Sequence, residues 1–198
     1  MILSHTRHAF AAFALVATLT LASVGRADEV DDRARSLFQE IPSEVCFDPQ
    51  VDNPDVFTVI YSGPTPAKLT ARIYRFVCFT SAYNVGHVYY MHTELTGLQR
   101  VMFAAPAYEV QCVGGAPGFD CEAADISVAG IATLSELLNT VFDPASGTIT
   151  SLSCWRGLCD AFDAGVWAFE SGRFLLRSFD VDALYDGATR PIRILEYQ

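Results

Sequence analysis

Val166-Trp-Ala-Phe-Glu-Ser-Gly-Arg-Phe-Leu-Leu176 is the stretch that decides the fold. Taking Ser171-Gly172 as a two-residue loop sets Glu170 opposite Arg173, Phe169 opposite Phe174, Ala168 opposite Leu175 and Trp167 opposite Leu176. One face then gathers Trp167, Phe169, Phe174 and Leu176, and an opposite-charge pair sits beside the turn. A slip of one residue would scatter the aromatics over both faces, so turn and hydrophobic pattern specify the same antiparallel hairpin.

The same texture of β-branched and aromatic runs, punctuated by Gly, Pro and Asp, extends back to Val56. It predicts strands near 56–62, 68–80, 86–95, 98–104, 108–113, 125–131, 148–154, 165–170, 173–180 and 191–197. A second hairpin turning at Thr96-Gly97 pairs Glu94 with Gln99, His92 with Val101, Met91 with Met102 and Tyr90 with Phe103. Two segments read as helices instead. Asp28 to Ile41 carries Val30, Ala34, Leu37, Phe38 and Ile41 at helical spacing, with four acids in its first turn and Pro42 to end it. Ala132 to Phe142, with Leu134, Leu137, Leu138 and Val141, predicts one short internal helix, and Asp143-Pro144 with Gly147 marks a turn. The expected class is mainly β, built of antiparallel hairpins and meanders with an N-terminal helix. An internal echo between Cys78-Phe-Thr-Ser-Ala-Tyr-Asn-Val-Gly and Cys159-Asp-Ala-Phe-Asp-Ala-Gly suggests two similar β-halves.

Where such a fold forms is read from its ends and its sulfur. Residues 1–27 combine Arg7 and His8, an apolar run from Ala9 to Val24 and Gly25-Arg26-Ala27, the pattern of a cleaved secretory signal. The apolar run is shorter than the roughly 20 residues needed to span a bilayer, so no stable membrane insertion is expected after cleavage. The mature chain, residues 28–198, is then a single domain with all six cysteines. Cys112 and Cys121 bracket a Gly/Pro-rich segment, Cys154 and Cys159 bracket Trp-Arg-Gly-Leu, and Cys46 remains for Cys78. A periplasmic or secreted location follows. Net charge is −10, and the leader takes away Arg7 and Arg26 but no acid, leaving Lys68 as the only lysine. Nucleic acid and anionic lipid are poor partners for such a surface, whereas a basic envelope protein or a neutral cell-wall glycan is compatible with it.

Arg75-Phe-Val-Cys78-Phe-Thr-Ser-Ala-Tyr-Asn84 and Phe142-Asp-Pro-Ala-Ser-Gly-Thr-Ile-Thr-Ser151, followed by Trp155-Arg-Gly-Leu158 and Asp160, resemble the ordered elements of a secreted bacterial family, domain of unknown function 1176. The likeness spans roughly residues 70 to 190. It implies export and a disulfide-bearing β-rich fold, and the family brings no established activity. Cys159 stands where the family has glycine, Ala161 where it has cysteine, and Tyr185-Asp-Gly187 where it has a later Cys-Arg-Gly. If the two family cysteines pair, a local Cys154–Cys159 bond is a coherent replacement for them.

Catalytic chemistry has few carriers. The mature chain holds two histidines, His87 and His92, which an odd spacing places on opposite faces of one strand, so they cannot share a metal. No Gly-x-Ser-x-Gly element is present, and no catalytic residue, metal site or cofactor motif is assigned. Loop carboxylates Asp120, Glu122, Asp125, Asp160 and Asp163 leave a glycoside or cell-wall hydrolase as the alternative. The favoured expectation is a non-catalytic envelope binding module. Its candidate binding residues are Tyr83, Asn84, Trp155, Arg156 and Asp160, with Phe162 nearby: aromatics beside polar groups, part of them held in a short disulfide loop. An inhibitor of a basic cell-wall hydrolase is its concrete form.

Overall fold

The structure, a computed structural model, describes residues 21–63, 67–114 and 121–197. Helix α1 (Leu21–Gln39) precedes twelve strands: β1 (Gln50–Ser62), β2 (Lys68–Thr80), β3 (Val85–Thr93), β4 (Gly97–Arg100), β5 (Phe103–Val113), β6 (Ala123–Leu134), β7 (Leu137–Leu138), β8 (Val141–Asp143), β9 (Thr148–Cys154), β10 (Phe162–Glu170), β11 (Arg173–Asp182) and β12 (Ile192–Glu196). They form one antiparallel sheet in the order β1-β2-β3-β4, with β7 also on β3, a second in the order β12-β11-β10-β9-β8, and a separate β5–β6 ribbon. The mainly antiparallel β class is therefore as expected.

The β10–β11 hairpin has the expected register. Trp167 faces Leu176, Ala168 faces Leu175, Phe169 faces Phe174 and Glu170 faces Arg173. Ser171 and Gly172 both have positive φ, 49° and 83°, the geometry that lets a two-residue loop follow the right-handed strand twist. The aromatic face is buried against the other sheet. Val59, Ile73, Tyr89 and Met91 on one side meet Ile149, Trp167, Phe174, Leu176 and Phe179 on the other, and the ribbon adds Phe103. The fully buried Trp167 indole donates to the Ala104 carbonyl at 2.8 Å, so its polar edge is not left unpaired.

Strand β2 packs on both faces, which explains why its buried apolar residues fall at odd and even positions alike, Ala71 and Ile73 on one face and Tyr74, Phe76 and Cys78 on the other. Its second face, with Tyr74, Phe76 and Cys78, packs with Val88 and Tyr90 against Ala34 and Phe38 of α1. The helical stripe thus lies where its spacing placed it. The acids do not cap the helix, because α1 begins at Leu21, ahead of Asp28, and Asp31 instead accepts from Tyr74 Oη at 2.7 Å and Arg72 at 2.9 Å. Residues 1–20 of the expected leader lie outside the described residues, among which no helix is long and apolar enough to cross a membrane.

Three expectations are corrected. The β3–β4 hairpin pairs Thr93 with Gly97, His92 with Leu98, Met91 with Gln99 and Tyr90 with Arg100, three residues away from the expected register. Its loop is the three residues Glu94-Leu95-Thr96: Thr93 Oγ1 accepts from the Thr96 amide at 3.1 Å, and Gly97 takes φ 67°. Residues 132–142 are not helical. Leu134 ends β6, Leu137 and Leu138 pair with β3, and Val141 and Phe142 belong to β8. Asn139 at φ 44° breaks any helical path, and burial of Leu137 and Phe142 in the inter-sheet core outweighs the local periodicity. Nor does the chain break at 105–107, since β5 runs through Pro106 with an irregularity at Ala107/Tyr108.

All three expected disulfides are present, and no described cysteine is free. Cys46–Cys78 ties the segment after α1 to β2, Cys112–Cys121 ties the ribbon, and Cys154–Cys159 closes the β9–β10 loop. Such a set of bonds belongs to an oxidising environment.

Candidate functional site

The β2–β3 turn meets the β9–β10 loop where the two sheets converge, and this brings the five expected binding residues into one corner. Asn84 is the hinge pin of that corner. Its Nδ2 donates to the Cys154 carbonyl at 2.8 Å, while its Oδ1 accepts from the Cys154 amide at 3.1 Å and from Asn139 Nδ2 at 2.8 Å. Asn139 also donates to the carbonyls of Tyr83 and Leu152, and its Oδ1 accepts from the Val85 amide at 2.8 Å. These amides knit the sheets together and leave little of Asn84 for a ligand.

Arg156 and Asp160 form a charge-assisted pair inside the loop segment. Asp160 is only 4% exposed and also accepts from the Gly187 amide at 2.7 Å. The Arg156 guanidinium holds its carboxyl well below the ordinary carboxylate range, and the pairing raises Arg156 in turn. Arg156 lies 5.2 Å from the centre of the Tyr185 ring, a cation–π contact that carries the β11–β12 connection into the same corner. Trp155 turns its indole N–H inward to Asp163 at 3.0 Å. Phe162 is buried at the start of β10, because its neighbours pair on both sides, so it is no part of an exposed platform.

What the corner does expose is apolar. Leu158, at the tip of the Cys154–Cys159 loop, is 75% exposed, and Tyr83 is 44% exposed with Gly157 beside its ring. The Tyr83 hydroxyl lies 3.4 Å from the Trp155 carbonyl, so the ring is fastened to the loop it flanks. Cys159 has φ 52°, which turns the chain sharply after Leu158. Sequence reasoning passed over Leu158, Asn139 and Tyr185. A signal for Leu158 existed: a leucine between cysteines five apart has no room to fold inward. Asn139 carried none, since its partners come from three distant segments.

The carboxylates are dispersed. Asp120 lies outside the described residues, and Glu122 and Asp125 belong to the ribbon region. Asp163 is half-buried on the inner face of β10, and accepts from Tyr108 Oη at 3.3 Å as well as from Trp155. Burial raises its carboxyl, and hydrogen bonds from Trp155, Tyr108 and Ser153 oppose that rise. His87 and His92 sit on alternate faces of β3. His87 is buried with Nδ1 unpartnered among the described residues, and burial, then the nearby Arg75 charge, lowers it to about 4. No protein-family model, curated protein or solved structure matches the chain.

Proposed function

We propose that the chain is an exported, non-catalytic binding module that presents the Trp155–Leu158 loop to a basic protein of the bacterial envelope, with a cell-wall hydrolase such as lysozyme as the concrete partner. The observation that carries this reading is Leu158: a large apolar side chain, three-quarters exposed, at the tip of a loop closed by a disulfide and braced by Asp160, Asn84 and Tyr185. A preorganised apolar anchor loses little conformational entropy on association, and that is where interfaces concentrate their affinity. The net charge of −10 favours a cationic partner by long-range attraction. Asn84, Arg156 and Asp160 act in this reading as positioning residues, and Tyr83 and Leu158 as the contacts. The likeness to domain of unknown function 1176 and the expected leader supply the envelope setting. Two similar β-halves are part of the same proposal. In support of it, the corresponding strands take the same order in the two sheets, β2-β3-β4 and β9-β10-β11.

Calorimetric titration of lysozyme with the processed protein tests the concrete version. The expected result is binding that weakens with salt and is lost in Leu158→Asp. Absence of heat and of inhibition at large molar excess removes lysozyme as the partner.

One observation favours a second reading, a cell-wall glycoside hydrolase. Burial raises the Asp163 carboxyl, and in this reading that carboxyl would serve as the general acid. Turnover of labelled peptidoglycan that disappears in Asp163→Asn with the fold intact would support it, and no turnover by the unaltered protein would remove it for that substrate.

A further inference from the structure

Strand β1 forms one edge of the first sheet, and its two halves are protected very differently. The first half holds Pro54 and an irregularity in pairing between Gln50 and Asp55, both of which blunt an edge. The second half, Phe57-Thr-Val-Ile-Tyr-Ser62, has no charge, proline or glycine, and pairs without interruption with β2 on its inner side. Among the described residues, nothing pairs with its outer side.

A groove of about 610 Å³ runs along this bare segment. Its walls are Thr58–Ser62 on one side, and the Pro144–Gly147 turn with Phe169–Ser171 on the other. Five consecutive strand residues line it. A cavity lying over a sheet face would meet every second residue of a strand, so this one lies beside the backbone, where alternate N–H and C=O groups point outward. The opposite wall is firm, since the Gly147 carbonyl accepts from the Phe169 amide at 2.8 Å and the Tyr61 ring stands edge-on to Phe169. Five residues of strand measure about 17 Å, and the volume falls within the usual range of ligand sites. One carboxylate lines the groove, Glu170, which pairs with Arg177, while Asp143, just before the Pro144–Gly147 wall, is engaged by its own turn through Ala145 and Ser146.

We propose that this groove is a second binding site, in which an extended cationic peptide segment adds as a new antiparallel strand to the open edge of β1. Backbone hydrogen bonds to Thr58–Ser62 supply affinity. Alternate side chains of the incoming segment lie beside Ile60, which is 66% exposed, on one face and over Tyr61 and Phe169 on the other. The net charge of −10 favours basic residues in that segment by long-range attraction. The site is separate from the Leu158 loop and does not depend on its role.

The test uses isotope-labelled processed protein and a capped heptapeptide, Lys-Val-Thr-Val-Thr-Val-Lys. The expected result is slowed amide exchange at alternate residues of Thr58–Ser62, with an affinity of about 10–500 µM. Strand addition engages one edge of the peptide only. N-methylation of the valines or of the threonines should therefore weaken binding more than about tenfold in one N-methylated peptide and leave the other unaffected. Replacing both lysines with glutamate should weaken it about tenfold at low salt, and Ala145→Trp, a substitution in the exposed turn wall, should block the groove while Leu158→Asp leaves it intact. No protection of β1 at about 1 mM peptide, or equal loss in both N-methylated peptides, would overturn the proposal. So would protection of β1 that grows with protein concentration in the absence of peptide, which would make a second copy of the chain the occupant.

Discussion

Asn84 directs its side-chain amide into the fold, holding Cys154 at both its amide and its carbonyl and meeting Asn139 across the gap between sheets. Truncation leaves those groups with partly buried, unsatisfied hydrogen-bonding capacity. Asn84→Ala should therefore lower unfolding free energy by about 2 kcal/mol, measured by urea denaturation. Its place in the corner was legible from the sequence, but the direction of its amide was not, because an asparagine beside an aromatic reads alike whether it faces a ligand or a backbone. His87 carries the clearest pH signal. It is held neutral in the fold, lowered from 6.5 to about 4, so the unfolded chain binds the proton more readily between those values. Stability should be full above about pH 6.5 and fall as pH drops toward 4, where the loss levels off. Asp163, raised in the fold, works in the opposite sense as pH falls. Comparing the slope of urea midpoint against pH for His87→Gln isolates the histidine: that slope should shrink in this window, whatever the variant's absolute stability.

At the scale of elements, legibility followed how much of the information was local. The β10–β11 hairpin was readable because two turn residues and four apolar side chains agree on one register. The β3–β4 hairpin was not, since Gly97 fits the second position of a two-residue loop and the strand position that follows a three-residue loop equally well, and only packing decides. Residues 132–142 failed for a related reason: apolar residues three and four apart also arise where short strands each drop one side chain into a core. Two changes test this level. Ser171 occupies a left-handed conformation that asparagine adopts more easily, so Ser171→Asn should stabilise the protein by about 0.5 kcal/mol in thermal or urea unfolding. Replacing Cys154 and Cys159 together by alanine should cost about 2 kcal/mol through restored loop entropy, and should loosen Trp155–Leu158 as read by faster amide exchange. Unchanged exchange in that variant would show that the bracing contacts, not the disulfide, fix the loop.

Across the whole molecule, two antiparallel sheets share one aromatic core, α1 covers the outer face of the first, and three disulfides tie down the segments that leave the sheets. Cysteine count and spacing anticipated the bonds, whereas the meeting of sheets at Asn84, Asn139 and Tyr185 depends on contacts between residues far apart in sequence. The mass of the exported protein should place its N-terminus near Asp28 and show alkylation only after reduction. Thiols that label without reduction would contradict the disulfide frame. The loop's role is tested most directly by a photoreactive amino acid in place of Leu158, with Leu95, also well exposed in the β3–β4 turn, as the control position, in protein exported to a bacterial envelope. The account predicts crosslinking to one basic envelope protein from position 158 and not from position 95. No crosslink from 158, or the same products from both positions, would contradict it.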